Sequence, residues 1–427
     1  MHRPARHSAI SLIRQRFSRA AALLLVAVLT LTFAIQAEPP VANLLAPSEP
    51  VPSVFFGMHI HHLWQDTGWP DITFGTWRLW DAHVTWALLE PQRGVYDFSL
   101  LDRYVAAAEA HHIQLVLTLA STPTWASSRP DEIPVHAGGT TGPAGSAAEP
   151  AAQSYWQDFV RTVGLRYKGR ILLYEIWNEP MYKPFYSGTV STMVEIARSA
   201  YSILKAIDPD NQILSPPVDG RAAGVQWLKD FLAAGGGDSA DIFGFHLYTA
   251  GPPELMVGMV NQFRRILAAY NQSSKLVWNT EAGWQMKGRD PQMAADYVAR
   301  AFLVSWAAGV KRYMYYSWDS PTMGIMPKGS RGGMAEAYRK VGQWMEGATF
   351  GECVVSPDGV WVERLTRPGG QSAKILWNPS GDKILARDHI GAATSYETLN
   401  GETLPILPST QISLGGAPIL LLYSSGI

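Results

Sequence analysis

The sequence predicts an α/β chain: a (β/α)8 TIM barrel followed by a small C-terminal antiparallel β-sandwich domain. Three observations predict it. Eight short apolar segments, each ending in polar residues, run from Val54 to Ser317, mostly with helically spaced segments between them. Together with their helices they span about 300 residues, which fits a closed barrel better than an open doubly wound sheet. Beyond about Gly347 the texture changes to short strand candidates separated by Pro-Asp-Gly, Arg-Pro-Gly-Gly and Asn-Pro-Ser-Gly turns, with no helical spacing.

The strands read as Val54–Ile60, Thr76–Asp81, Ile113–Leu119, Ile171–Trp177, Gln212–Ser215, Asp241–Tyr248, Lys275–Thr280 and Lys311–Ser317. A Gly- and Trp-bearing connection follows the first, beginning near Trp64. Ser99 is placed to cap a helix whose apolar positions include Leu101, Tyr104, Val105 and Ala108. A long loop from Ala120 to about Pro150 holds Trp125 and the low-complexity run Gly138–Gly145, as a lid or an insert would. Further helices are expected at Tyr155–Tyr167, Val190–Ile207, Val225–Ala234, Glu254–Tyr270, Pro291–Ala308 and Met334–Met345. The expected domains are the barrel at 53–347 and the accessory β domain at 348–427, after a Pro/Ala-rich linker or edge segment at 38–52.

With 427 residues, 47% of them hydrophobic and 17% charged, the chain can bury a large core. A formal net charge of -1 argues against a nucleic-acid partner, which needs a basic face. The 16 Trp and 17 Tyr offer platforms for the apolar C–H faces of sugar rings, although a large core also consumes Trp. Five arginines precede the uncharged run Ala20–Ile35, the pattern of an export signal at 1–37. Ile35 fits a cleavage site poorly, so an uncleaved inner-membrane anchor stays open beside it. The expectation is an exported protein, periplasmic or extracellular. Cys353 is the one cysteine, so no intrachain disulfide and no thiolate metal cluster can form.

In a barrel of this kind the chemistry sits at the C-terminal strand ends. Those ends carry His59, His61 and His62 on strand one, Arg78 and Asp81 on strand two, and Trp125 beyond strand three. Strand four delivers Asn178 and Glu179, strand six His246 and Tyr248, strand seven Glu281, and strand eight Trp318 and Asp319. Two glutamates facing each other across an aromatic-lined mouth are what glycosidic cleavage needs: one protonates the leaving oxygen while the other attacks or activates water.

Trp177-Asn178-Glu179-Pro180 on strand four, with Trp278-Asn279-Thr280-Glu281 on strand seven, resembles the retaining (β/α)8 glycoside hydrolases of clan A. Within that clan the chain is most similar to glycoside hydrolase family 39, including the glycosidases encoded with exopolysaccharide systems such as Psl. Arg78, the His246-x-Tyr248 pair and Trp318 strengthen the likeness, which covers roughly Val54 to Gly347. The resemblance implies Glu179 as general acid/base and Glu281 as nucleophile, with carboxyls about 5–5.5 Å apart. Arg78 is expected to hold the Glu281 pKa down and Tyr248 to hydrogen-bond the same carboxylate. Asn178 is expected to meet the sugar 2-hydroxyl and Trp318 to stack beneath the ring, with Trp177 buried.

Other readings stay open at this point. His246 is either a hydrogen-bonded interior histidine or a sugar contact, and Glu175 either a deep carboxylate or a surface one. His59, His61 and His62 offer imidazoles that could hold zinc. No HExxH or matching carboxylate motif accompanies them, so neither metal nor cofactor is expected. The expected activity is a retaining, endo-acting β-glycosidase on a polysaccharide or oligosaccharide, with polysaccharide-export machinery left open as a partner. Its rivals are an exo-acting β-xylosidase- or iduronidase-like enzyme and a non-catalytic carbohydrate-binding barrel.

Overall fold

Residues 43–63, 68–136, 139–285, 288–326 and 332–424 are described in this computed structural model of the chain. The export or anchor segment at 1–37, the first residues of the expected linker, Trp64 and Gly138 lie outside the described residues. Among the described residues, no helix is long and apolar enough to cross a membrane.

Eight parallel strands form the barrel: β1 (Phe56–Met58), β2 (Thr76–Leu79), β3 (Gln114–Leu119), β4 (Leu173–Ile176), β5 (Gln212–Leu214), β6 (Ile242–His246), β7 (Leu276–Ala282) and β8 (Tyr313–Tyr315). Each pairs with its sequence neighbours, and β8 closes the ring on β1 through Tyr313↔Phe56 and Tyr315↔Met58. Long helices follow strands two to eight, at Ser99–Ala110, Gln153–Arg166, Val190–Ile207, Ala222–Ala233, Leu255–Ala269, Pro291–Ala307 and Gly332–Met345. No helix stands among the described residues between β1 and β2. At Val190–Ile207 the Thr189 hydroxyl accepts the Thr192 N–H, and at Pro291 the Asp290 carboxylate accepts the N–H groups of Gln292 and Met293. Ser99 does not cap its helix as expected. It is the first helical residue, and its N–H is taken by the Asp97 carboxylate.

The interior of the barrel is layered. At the bottom Val116, Leu173, Leu214, Ile242, Trp278 and Met314, from six different strands, form a closed apolar cluster. Strand side chains alternate, so two residues on, the next inward positions are Thr118, Glu175, Gly244 and Thr280. Gly244 leaves room there: a Cβ on it would stand 3.1 Å from Glu175 Oε1 and 3.2 Å from Thr280 Oγ1. Above this polar layer lies the mouth.

The accessory sheet has seven strands in the order Asn43–Leu45, Thr349–Val355, Trp361–Thr366, Ser372–Trp377, Ile419–Tyr423, Ala393–Glu397, Thr403–Pro405, with all neighbours antiparallel. The segment read as a linker or edge is thus in part an edge strand, with Asn43 paired to Val354. One face of the sheet, including Cys353, Trp361, Ile375 and Trp377, joins the main core with the barrel helices. Its other face packs Val362, Leu376 and Leu421 against Leu385, Ile390 and Leu414. These last belong to or flank a two-stranded sheet (Lys383–Ile384 with Ser413–Leu414) and a short helix, Arg387–Ile390, which the turn-rich sequence did not announce. The expected sandwich is therefore one large sheet with a small second layer. Residues 41–427 form one compact unit. The Trp377 indole N–H donates to Glu254 Oε1 at 2.7 Å and Arg300 pairs with the same oxygen at 3.2 Å, tying the sheet to the barrel.

Candidate active site

The organising group of the mouth is Arg78, fully buried at the end of β2. Its Nε donates to Glu175 Oε2 at 2.6 Å, Nη1 to Glu281 Oε2 at 2.7 Å and Nη2 to Asn178 Oδ1 at 2.8 Å. Thr118 Oγ1 adds a donor to Glu175 Oε2 at 3.1 Å. Glu175 is therefore the deep carboxylate of the two readings, and it balances the guanidinium charge that burial would otherwise penalise. One cation thus orients three residues from β4, its exit and β7. With Asn178 Oδ1 occupied by Arg78, the amide NH2 is the end left for a ligand.

Backbone irregularities aim the two glutamates. β7 slips register between Asn279 and Ala282, and β6 opposite it slips between Phe245 and His246. A bulge interrupts the strict alternation and turns Glu281, which follows inward-facing Thr280, toward the mouth as well. Gly283 then lets the chain pass closely, because a Cβ there would lie 2.0 Å from the Tyr316 carbonyl oxygen. At the exit of β4, Trp177 and Glu179 both have positive φ, 63° and 41°, on either side of Asn178. Asp81, His83 and Ser121, after β2 and β3, share that conformation. Such backbone costs about 1–3 kcal/mol per residue and gathers at functional sites.

Glu179 Oε1 lies 2.9 Å from His246 Nδ1, and the same nitrogen is 3.9 Å from Glu281 Oε1. One ligating atom each from Glu179, His246 and Glu281 all fall within 4.8 Å of one another. Burial, reinforced by the negative charge of Asp219, pushes the Glu179 carboxyl up to about 7, against the pull of Arg78, Arg221 and His136. Burial also raises Glu281, with His246 and Arg78 pulling down and Glu179 pushing up. Arg78 therefore does not set the net direction as expected, because removal from water outweighs it. Two donors nevertheless favour the charged form of Glu281: Arg78, and the Tyr248 hydroxyl at 2.8 Å from Oε1. Burial holds the Tyr248 hydroxyl well above its ordinary range, so it keeps its proton and remains a donor. The His246 imidazole is held below its usual range by burial, hence neutral at pH 7, and its Nε2 has no partner among the described residues.

The remaining expected residues divide. His59 Nε2 donates to the Thr280 carbonyl at 2.9 Å, and the His61 N–H donates to Asp319 at 2.9 Å. The bonds to Asp319 come from backbone N–H groups, His62 donating at 2.8 Å, and among the described residues the ring nitrogens of the three histidines past β1 do not converge as a ligand set. The donor set that would hold a divalent cation among the described residues is instead Glu179, His246 and Glu281, and the Arg78 guanidinium bonded to Glu281 disfavours added positive charge there. Trp177 is buried, with its indole N–H donating to the Phe185 carbonyl at 2.7 Å. Trp318 is only 3% exposed and its backbone N–H donates to the His59 carbonyl, a tighter setting than a broad platform expects. Trp125 packs on Trp86 and Tyr155 and donates to the Glu90 carbonyl at 2.9 Å, so its contacts run toward the helices rather than to the carboxyl pair.

Two residues escaped the sequence reading. Asp219 sits beyond Pro216-Pro217, where β5 was expected to stop. The chain resumes pairing at Val218–Asp219, with Asp219 beside His246 on β6. Its carboxylate is buried and receives the Tyr182 hydroxyl at 2.6 Å and the Arg221 N–H at 3.1 Å. Tyr316, after β8, packs against His59 and His61 and donates to Asp81 at 2.7 Å. An aspartate two residues past a proline pair was the one available signal for the first.

A family model described as glycosyl hydrolase catalytic core matches residues 170–343, and a beta-galactosidase family model matches residues 79–209. No curated protein matches the chain in sequence. Among solved structures, a family 39 glycoside hydrolase from Bacteroides cellulosilyticus WH2 is similar over 88% of this chain and 81% of its own, with a TM-score of 0.67 and 17% identity. A monomeric beta-xylosidase from Caulobacter crescentus CB15 is similar over 90% of this chain and 98% of its own, at a TM-score of 0.62 and 17% identity. A GH30 endoxylanase from Clostridium papyrosolvens C71 covers 90% and 98%, at a TM-score of 0.56 and 13% identity. Residues 170–343 thus match a glycosyl hydrolase catalytic core, and they lie in a closed (β/α)8 barrel that carries an accessory β-sheet.

Proposed function

We propose that the chain is a retaining β-glycosidase that cleaves a polysaccharide by double displacement, with Glu281 as nucleophile and Glu179 as acid/base. The observation that carries this reading is the pair itself: carboxylate oxygens within 4.8 Å, one group pushed up to about 7, the other held by two donors. Carboxylate oxygens this near each other accord with the retaining separation of about 5–5.5 Å between carboxyl groups, which is shorter than the roughly 6.5–9.5 Å of inverting enzymes.

In the first step a Glu281 oxygen attacks the anomeric carbon as the glycosidic bond breaks, and Glu179 gives its proton to the departing oxygen. The resulting ester neutralises Glu281. Glu179, now a carboxylate facing one negative charge fewer, takes a proton from water, and that water's oxygen displaces Glu281 from the sugar. His246 holds Glu179 in place through its Nδ1, 2.9 Å from Oε1. Asn178, fixed by Arg78, offers its amide to the 2-hydroxyl, a contact that strengthens in the transition state.

Glu281→Gln should abolish turnover of an aryl β-glycoside while leaving oligosaccharide binding measurable by calorimetry. Turnover that survived this change would remove Glu281 from the nucleophile role. Endo-action on an exopolysaccharide outside the cytoplasm is part of the same proposal, and the arginine-led apolar run before residue 37 supports its export. Product sizes separate it from an exo-acting, xylosidase-like mode: a ladder of oligosaccharides supports it, and monosaccharide as the sole early product overturns it.

A further inference from the structure

Far along the chain from the catalytic carboxyls, the accessory sheet carries a groove of about 520 Å³, lined among others by Arg364, Lys374, Thr366, Ser372 and Tyr423. Its cations are arranged unfavourably for an empty surface. Arg364 and Lys374 stand directly opposite each other on adjacent antiparallel strands, a pairing in which like charges destabilise the sheet. Among the described residues neither has a carboxylate partner. Lys374 is half-buried, and burial together with the Arg364 charge presses its pKa down. Its ammonium donates to the His389 carbonyl at 3.3 Å and lies 5.4 Å from the Tyr423 ring centroid, leaving donors over for a ligand. The chain as a whole has a net charge of -1, so this is a local concentration of positive charge and not general basicity.

An anion would relieve the repulsion. The hydroxyls of Thr366 and Ser372 and the ring of Tyr423 surround the cations with the partners a sugar uses, polar edges and an apolar face. We propose that this groove is a second carbohydrate site, which binds carboxylate-bearing sugar units of the polymer that the barrel cleaves. The inference rests on the glycosidase reading for its polymer, but its test does not depend on turnover.

Calorimetric titration of the full protein with hexamers of mannuronate and of galacturonate is compared with cellohexaose and with sodium sulfate. The expected result is binding of at least one acidic hexamer that weakens tenfold or more in Arg364→Gln/Lys374→Gln and with added salt, with aryl-glycoside kcat/KM unchanged. Equal affinity in the double variant, equal binding of cellohexaose, or sulfate binding as tightly as the hexamers would each overturn it. The single variants, checked by thermal melting, replace the double one if it does not fold. Absence of acidic-hexamer binding in the parent protein with turnover intact defeats this inference alone, whereas turnover surviving in Glu281→Gln defeats the catalytic reading and leaves groove binding to be judged by itself.

Discussion

Glu179→Gln should stabilise the protein, and only at the higher end of the pH range. The Glu179 carboxyl is pushed from an ordinary 4.5 up to about 7, and its side chain is only 15% exposed, so little solvent screening discounts the shift. A folded-state pKa above the unfolded one means that the native state holds the proton more tightly. That contribution is fully present below pH 4.5 and is lost as pH rises through 7. At about 1.36 kcal/mol per unit, the gap corresponds to roughly 3 kcal/mol of native-state destabilisation above pH 8. Glutamine cannot ionise, so the variant should match the parent near pH 4 and exceed it by roughly 3 kcal/mol at pH 8.5. For a compact unit of this size, with an unfolding entropy of about 2.1 cal/mol/K per residue, that amounts to about 4 °C in Tm. Differential scanning calorimetry of both proteins at the two pH values reads it directly. A Tm difference that is the same at both, or a variant less stable at pH 8.5, would refute the claim that Glu179 is ionised at a cost in the native site.

Other expectations follow from the same contacts. Arg78→Met removes the partner of two buried carboxylates, and thermal melts at pH 7 should show a loss of about 3–5 kcal/mol, easing as the pH is lowered and the carboxylates protonate. Asp219→Asn removes a negative charge that raises Glu179, so the basic limb of the kcat/KM profile should move acidward from about pH 7, while the limb belonging to Glu281 moves less. An unmoved basic limb would mean that Asp219 serves only to hold Tyr182 and Arg221.

Most of the frame was legible in the sequence because barrel strands are local signals. Apolar runs ending in polar residues identified all eight, and counting them put Glu179 and Glu281 at one mouth. What escaped depended on backbone detail or on distant partners. Nothing in Trp278-Asn279-Thr280-Glu281 announces a register slip, yet without one Glu281 would alternate away from Thr280. Trp177 and Glu179 carry positive φ that no glycine or asparagine at their positions signals. The edge strand Asn43–Leu45 finds its partner at Glu352–Val354, far along the chain, so a short apolar stretch among prolines reads locally as linker. Trp125 was assigned to the mouth because it follows β3, but Trp86 and Tyr155 draw it toward the helices. Asp219 was hidden behind Pro216-Pro217, since prolines interrupt a ladder locally without preventing its resumption two residues later. The Glu281 pKa direction also needed the structure, because the pull of Arg78 can be guessed from a motif while the depth of burial cannot.

The central claim is double displacement through Glu281 with Glu179 trading the proton, and the anomer first released reports on it most directly. Proton NMR of an early time course on an aryl β-glycoside should show the β-anomer of the sugar first, with the α-anomer growing in only by mutarotation. An α-anomer formed first would mean a single displacement by water, and would contradict the assignment of Glu281 as the group that takes the glycosyl bond.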